Sequence, residues 1–230
     1  MNAPSDPPDP ATRPAGPVDP GGGPEPAVTV EVERTFEPGP AFRLPDLAGV
    51  PGVAAVSGPV VHALEATYFD TADLRLATHR ITLRRRTGGD DAGWHLKRPR
   101  RDGERDELRV PLGESETVVP GAVRGPVEGL LRHADLRPVV RLSTTRTVRT
   151  LRDDRGAVLA EVADDDVRAT RLGDGGAQER VSRWRELEVE LVDGDRELLA
   201  EVSRRLVVAG APLSASTSKF ARALGRQLGT

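Results

Sequence analysis

The most constraining feature of this sequence is a set of extended segments whose polar faces carry charges of one sign. In a strand, side chains two residues apart share a face and lie about 7 Å apart. The acidic faces comprise Glu31 with Glu33, Glu161 with Asp165, and Glu186 with Glu188 and Glu190; the basic face comprises Arg84 with Arg86. Carboxylates this close repel one another when they lose water, so such faces need solvent, opposite charges or a bound cation.

Alternation with a period of two residues recurs along most of the chain and predicts about eight strands. It starts at Val28 and returns over residues 64–70, 80–87, 93–98, 105–112, 139–152, 158–169 and 183–192. Helical patterns cover residues 120–133, 195–209 and 216–228. About eight antiparallel strands can close into a barrel that holds side chains or one small ligand. The sequence therefore predicts an α+β chain, mainly antiparallel β, built on a closed eight-stranded barrel.

Composition excludes several classes of protein. The chain has no cysteine, which excludes disulfides, thiolate catalysis and cysteine-ligated zinc. Its formal net charge of −3 argues against a protein that coats nucleic acid. No apolar run approaches the ~18 residues that cross a bilayer, and the N-terminus lacks the pattern of a secretory signal. We therefore expect a cytoplasmic protein with neither a nucleic-acid nor a membrane partner.

The chain divides into a short tail and one long region. Residues 1–26 are rich in proline and glycine. Such a segment buries little apolar surface, so a disordered tail is predicted. Residues 27–228 carry all the alternating segments and helical patterns, and they are predicted to form one domain.

Opposite charges on different strands predict a site for a metal ion and an anion. Mg²⁺ and Mn²⁺ prefer oxygen ligands, and Mg²⁺ usually binds one or two carboxylates together with substrate phosphates. Arg84 and Arg86 offer forked donors to phosphate oxygens, and Lys97 on a neighbouring strand adds a positive charge. A triphosphate fits both halves of such a site. The alternative is a solvated sheet in which opposite charges pair across strands and no ligand binds.

An ordered set of motifs resembles the CYTH superfamily, the triphosphate tunnel metalloenzymes. The segment Val30–Phe36, VEVERTF, resembles its N-terminal E-x-E-x-K strand, and Tyr68–Arg86 resembles its block of Y-[YF]-D-T followed by L-R-x-R. The order continues through GWHLK from Gly93, ELEVEL from Glu186 and SKFARAL from Ser218. The residues of these motifs most resemble those of the actinobacterial branch in which this domain precedes a CHAD domain, a helical module associated with polyphosphate.

The resemblance implies an eight-stranded tunnel with helices packed outside, which hydrolyses a triphosphate with Mg²⁺ or Mn²⁺. The implied catalytic residues, which position water, are Glu31 and Glu33. The implied phosphate-binding residues are Arg84, Arg86, Lys97, Arg146 and Lys219. The implied metal ligands are Glu31, Glu33, Glu107, Glu161, Asp165, Glu186, Glu188 and Glu190. The ligand would be a triphosphate or a polyphosphate, and a CHAD-type domain is a candidate partner.

Three departures from the family pattern keep other functions open. Thr35 stands in place of the lysine of E-x-E-x-K, and Thr144 stands where a second basic residue is common. On the strand from Arg105 to Arg109, only Glu107 matches where many members have two acidic residues on one face. A threonine supplies a hydroxyl but no charge, which favours a non-catalytic polyphosphate- or nucleotide-binding module as the alternative. A class IV-type adenylate cyclase is a weaker alternative, because no sequence feature indicates an adenine pocket. His95 shares a side of its strand with Lys97, and we expect it to be a bystander.

Overall fold

The strands form one antiparallel sheet that nearly closes into a barrel. The computed structural model describes residues 27–173, 180–216 and 218–225, without the side chain of residue 102, so the tail predicted for residues 1–26 lies outside the described residues. Within these ranges the strands are β1 Ala27–Glu31, β2 Glu33–Phe36, β3 Ala55–Val56, β4 Val60–Asp70, β5 Thr82–Thr87, β6 Gly93–Pro99, β7 Arg105–Val110, β8 Arg137–Arg152, β9 Val158–Arg171 and β10 Arg180–Leu191.

Short helices flank the sheet. In the described part of the chain they are α1 Arg75–Thr78, α2 Gly121–Arg124, α3 Glu128–Leu131, α4 Arg196–Val208 and α5 Lys219–Leu224, with 3₁₀ turns at Arg101–Gly103 and Gly125–Val127. None of the helices described is long and apolar enough to span a membrane.

The N-terminal segment joins the two edges of the sheet. The strand order is β1-β7-β6-β5-β4-β8-β9-β10-β2, and β3 pairs with β8 beside this path. β1 and β2 are separated only by Val32, and they pair with β7 and β10 respectively. The mainly antiparallel barrel is confirmed. The predicted count of eight is wrong, because the described residues form ten strands. The first predicted strand is interrupted at Val32, and β3 lies outside the segments in which alternation was found.

The charged faces point into the barrel, while the apolar faces point outward beneath the helices. Leu199 and Val202 of α4 share a buried cluster with Leu187 and Val189 of β10. Trp94 of β6 lies in a second cluster, beneath α2 and α3. Because these helices exclude water from the outer surface, burial of apolar area there stabilises the barrel. The polar alternate residues are thereby left to fill its interior.

One end of the barrel interior is filled by apolar side chains and α5. Phe220 of α5 stacks on Tyr68 of β4 with ring centroids 4.9 Å apart. Val140 of β8 belongs to the same buried cluster. Arg146 lies six positions after Val140 on the same strand, so both side chains face the interior of the barrel. The interior is therefore closed and apolar at this end and charged farther along β8.

Asp70, at the end of β4, organises the connection to β5. Its carboxylate is fully buried and accepts backbone hydrogen bonds from Thr71 at 2.7 Å, from Leu76 at 2.9 Å and from Ala77 at 2.9 Å. Burial raises the pKa of Asp70, and these three donors oppose the increase. The carboxylate thus caps the first turn of α1.

We expect Asp70→Ala to destabilise the fold by about 2–3 kcal/mol, because it leaves buried N–H groups without acceptors. Urea denaturation followed by circular dichroism measures this change. Asp154→Ala is the matched control, since Asp154 lies in an exposed turn between β8 and β9. Equal stability of the two variants would contradict the role assigned to Asp70.

Candidate active site in the barrel

A cavity of about 450 Å³ occupies the charged part of the barrel interior. The predicted site residues that line it are Glu31, Glu33, Arg84, Arg86, Lys97, Glu107, Arg146, Glu161, Glu188, Glu190 and Lys219. The two other predicted residues, Asp165 and Glu186, do not line it but contact Lys219. Val60 and Val192 also line the cavity and are more than half exposed, so the cavity opens toward the end of the barrel opposite α5.

Strand register places three carboxylates side by side near this opening. Glu190 of β10 is the register partner of Glu33 on β2 and of Glu161 on β9. Glu33 Oε1 lies 3.3 Å from a guanidinium nitrogen of Arg105. Glu161 and Glu190 form no hydrogen bond or ion pair with any described residue. Burial raises the pKa of Glu190; Lys97 opposes this increase, and the charge of Glu33 adds to it.

Glu31 lies deeper and is held by a lysine. Its Oε2 accepts a hydrogen bond from Lys97 Nζ at 2.5 Å, and the same nitrogen lies 3.6 Å from Glu107 Oε1. Burial raises the pKa of Glu31 to about 7, although Lys97 opposes the increase. The carboxyl of Glu31 is therefore poised between its charged and neutral forms near neutral pH.

His95 contacts a cavity residue without lining the cavity itself. Its ring is buried, with Nδ1 2.8 Å from Glu107 Oε1 and Nε2 2.9 Å from the carbonyl oxygen of Asp91. Oxygen acceptors therefore lie against both ring nitrogens. Burial alone would raise the pKa of Glu107, but His95 and Lys97 lower it. His95 thus holds Glu107 in place, and the expectation that it is a bystander to the chemistry stays a prediction.

Arg84 is a half-buried cation that forms no ion pair with any described residue. Its Nη1 lies 3.3 Å from the hydroxyl of Tyr68, and its Nε has no hydrogen-bond partner. Burial lowers the pKa of Arg84, but Tyr68 and the charge of Glu107 raise it overall. Arg86, by contrast, pairs with Asp91 from the β5–β6 loop. Burial, and then the positive charges of Arg84 and Arg146, lower the pKa of Arg86. This wall of the cavity therefore carries two neighbouring guanidinium groups, of which Arg86 is in an ion pair and Arg84 is not.

Arg146 and Lys219 contact carboxylates near the closed end. Arg146 donates to both carboxylate oxygens of Asp165, at 2.8 and 2.7 Å. The ammonium nitrogen of Lys219 lies 2.9 Å from Asp165 Oδ2 and 2.6 Å from an oxygen of each of Glu186 and Glu188. Both cations were predicted to bind phosphate, and in this structure each is already paired with acidic side chains.

The two threonines that depart from the family pattern both face the interior. Thr35 lines the cavity as the register partner of Glu188. Thr144 is buried two residues before Arg146 on β8. Neither supplies a charge, so the positive side of the cavity depends on the arginines and lysines already described.

Comparison with known proteins identifies relatives of this chain. The chain is 42% identical over 214 residues to Rv2226, an uncharacterized protein of Mycobacterium tuberculosis strain H37Rv, and to MT2285 of strain CDC 1551. The aligned region covers 88% of this chain and 41% of each relative. The chain thus spans about two fifths of the length of the curated relatives it matches. The particular closeness to the branch linked to CHAD domains stays a prediction.

Solved structures and a family profile also match the fold. A Bacillus halodurans protein, provisionally assigned as an adenylate cyclase, superposes with a TM-score of 0.51 at 17% identity, over 70% of this chain and 82% of that one. A provisionally assigned Hippeastrum adenylyl cyclase, HpAC1, described as having a dominant triphosphatase activity, gives a TM-score of 0.41 at 18% identity, over 84% and 93%. The CYTH domain profile matches residues 30–224. Since that match spans most of the sequence, the chain belongs to the CYTH domain family.

Proposed function

We propose that the barrel binds a triphosphate and hydrolyses it with the help of Mg²⁺ or Mn²⁺. The observation that carries this proposal is the half-buried guanidinium of Arg84, which lines the cavity beside Arg86 and forms no ion pair with any described residue, although carboxylates occupy the other walls. The CYTH superfamily includes triphosphatases, which agrees with this site.

The wall of the cavity that carries Arg84 and Arg86 would bind the phosphate chain. Arg84 and Arg86 lie two residues apart on β5 and both line the cavity. Because burial strengthens their mutual repulsion, a polyanion between them would be stabilised by both charges. Asp91 now pairs with Arg86, so a phosphate oxygen would take the place of that carboxylate. Lys97 and Arg146 supply further positive charge to neutralise the transition state.

The carboxylates near the opening suit the metal ion. Glu33, Glu161 and Glu190 are adjacent by register, and two of them, Glu161 and Glu190, form no ion pair with the described side chains. Carboxylate oxygens are the donors that Mg²⁺ and Mn²⁺ prefer, so these residues fit such an ion and would hold it beside the phosphates. Bound there, the ion would neutralise phosphate charge and lower the pKa of water.

Glu31 is placed to orient the attacking water. It is buried, lines the cavity and is fixed by Lys97. In the family pattern a lysine at position 35 helps to orient the paired glutamates. Thr35 cannot do so through charge, but Lys97 contacts Glu31 directly. We propose that Lys97 takes over this orienting role, so that hydrolysis survives the change at position 35.

A non-catalytic triphosphate- or polyphosphate-binding module is the second candidate, and Thr35 is the observation that favours it. It predicts ligand binding without turnover. No described feature of the cavity favours a cyclase over these two functions. The cytoplasmic location and a CHAD-type partner domain stay predictions.

We expect the protein to release orthophosphate from inorganic triphosphate only when Mg²⁺ or Mn²⁺ is present. Glu31→Gln should lower kcat by about 10²–10⁴-fold, the range typical for loss of a group that acts in proton transfer. A colorimetric phosphate assay measures both effects. Glu114→Gln, at an exposed position, is the matched control.

The same experiment separates the candidate functions. Absence of release, together with a rise in melting temperature when triphosphate is added, would replace the hydrolase with the binding module. Absence of both effects would refute a triphosphate site in the barrel.

A second prediction concerns Arg84 itself. Arg84→Met should weaken triphosphate binding by about 10–100-fold, since a charge-assisted hydrogen bond contributes about 1.5–3 kcal/mol. Calorimetric titration measures the affinity.

The matched control is Arg85→Met, because Arg85 lies on the outward face of the same strand and pairs with Glu116. Unchanged affinity in Arg84→Met, or equal losses of affinity in the two variants, would contradict the proposed anion site.

A further inference from the structure

Three carboxylates near the closed end of the barrel surround one ammonium group. Oxygen atoms of Asp165, Glu186 and Glu188 all lie within 4.8 Å of one another, an arrangement that could hold a metal ion. The ammonium nitrogen of Lys219 lies 2.6–2.9 Å from an oxygen of each. Lys219 is 8% exposed, and Asp165 is fully buried. The place of a cation within this cluster is thus filled by a side chain of the protein itself.

The charge of the cluster is already close to balanced. Arg146 forms ion pairs with Asp165 and Glu188, and Arg222 lies 3.9 Å from Glu186. Three carboxylates therefore face one ammonium and one guanidinium, with a second guanidinium at the edge. A divalent ion bound to the same oxygens would lie beside the ammonium group of Lys219. Because two positive charges in contact in a buried site repel strongly, the ion and the ammonium group would exclude each other. The opening-side carboxylates Glu161 and Glu190 form no ion pair with any described residue, although the charge of Lys97 acts on Glu190.

The sequence offers independent support for a lysine at this position. Of the 33 basic residues only Lys97 and Lys219 are lysines, and the others are arginines. An ammonium group is a compact charge with three donors, whereas a guanidinium group is planar and suits bidentate pairing. Three carboxylates converging on one point match the ammonium. Both lysines lie in the barrel interior against carboxylates, so each is placed where a compact cation is needed.

We propose that Lys219 is the resident cation of the Asp165–Glu186–Glu188 cluster, which therefore anchors α5 in the barrel and does not bind the catalytic metal ion. This assignment removes three residues from the ligand set that the sequence suggests. It leaves Glu31, Glu33, Glu107, Glu161 and Glu190 on the open side. It also gives α5, which is only six residues long, an electrostatic attachment in addition to the stack of Phe220 on Tyr68. The inference does not depend on whether the barrel hydrolyses anything.

A tryptophan beside the cluster provides a direct test. The indole Nε1 of Trp184 donates to Glu186 Oε2 at 2.5 Å. A Tb³⁺ ion within the cluster would therefore lie next to Trp184 and emit light when the indole is excited. We expect wild type and Trp184→Phe to show the same Tb³⁺ emission, because Lys219 keeps the ion out. Lys219→Met should gain tryptophan-sensitised emission, and Lys219→Met/Trp184→Phe should lose it.

Lys97→Met is the matched control, since it removes the other interior lysine and should not create Trp184-dependent emission. Melting temperatures provide a second readout: Mn²⁺ without phosphate should stabilise Lys219→Met more than Lys97→Met. The proposal would be overturned if the wild-type protein showed Trp184-dependent Tb³⁺ emission, and if this emission were lost when Mg²⁺ or Mn²⁺ displaced the Tb³⁺ ion. That comparison uses no lysine variant, so it decides the question even if Lys219→Met fails to fold. A folded Lys219→Met that gains no emission would also overturn it.

Discussion

The central constraint on this structure is the pairing of opposite charges inside a nearly closed sheet. Charged groups lose water there, and each must find a partner, a ligand or a change of protonation. Register supplies many of the partners: Lys97 lies opposite Glu107, and Arg146 lies opposite Asp165. Sliding one strand by a single residue would turn its charges outward and its apolar residues inward. The same register therefore fixes the core, the cavity and the ion pairs.

The pairing is uneven along the barrel, and this unevenness supports the proposed site. Near α5, Arg146 and Lys219 compensate the carboxylates, so the cluster is self-contained. Toward the opening, Glu161 and Glu190 form no ion pair with any described residue, and neither does Arg84. Of the two carboxylates, Glu161 is exposed and keeps its water, whereas burial raises the pKa of Glu190. A metal ion and a phosphate chain in the cavity would pair with these charges, which is the basis of the proposed hydrolysis.

Much of the fold could be predicted from the sequence because alternation is a local signal. It identified the strands and the interior faces of β5 and β10, and the motif order indicated the family. The break at Val32 could not be predicted, since it arises where one segment pairs with β7 on one side and β10 on the other. The contact of His95 with Glu107 could not be predicted for a related reason. The contact is set by the pairing of β6 with β7, which a single strand pattern does not contain.

The partners of the cations were the least predictable part of the site. Lys219 was assigned to phosphate from its motif, yet its carboxylate contacts depend on how α5 enters the barrel. The same applies to Arg86, whose contact with Asp91 depends on the conformation of the β5–β6 loop. The sequence shows the type of each residue and the side of the strand on which it lies. Whether a given cation pairs with a carboxylate of the protein or is left to bind a ligand depends on the three-dimensional arrangement.

A crystal structure with inorganic triphosphate and Mn²⁺ tests the central claim most directly. The account predicts phosphate density against Arg84 and Arg86, with an anomalous manganese peak beside Glu33, Glu161 or Glu190. Phosphate bound only outside the barrel, or a cavity that stays free of both ions at saturating concentrations, would contradict it.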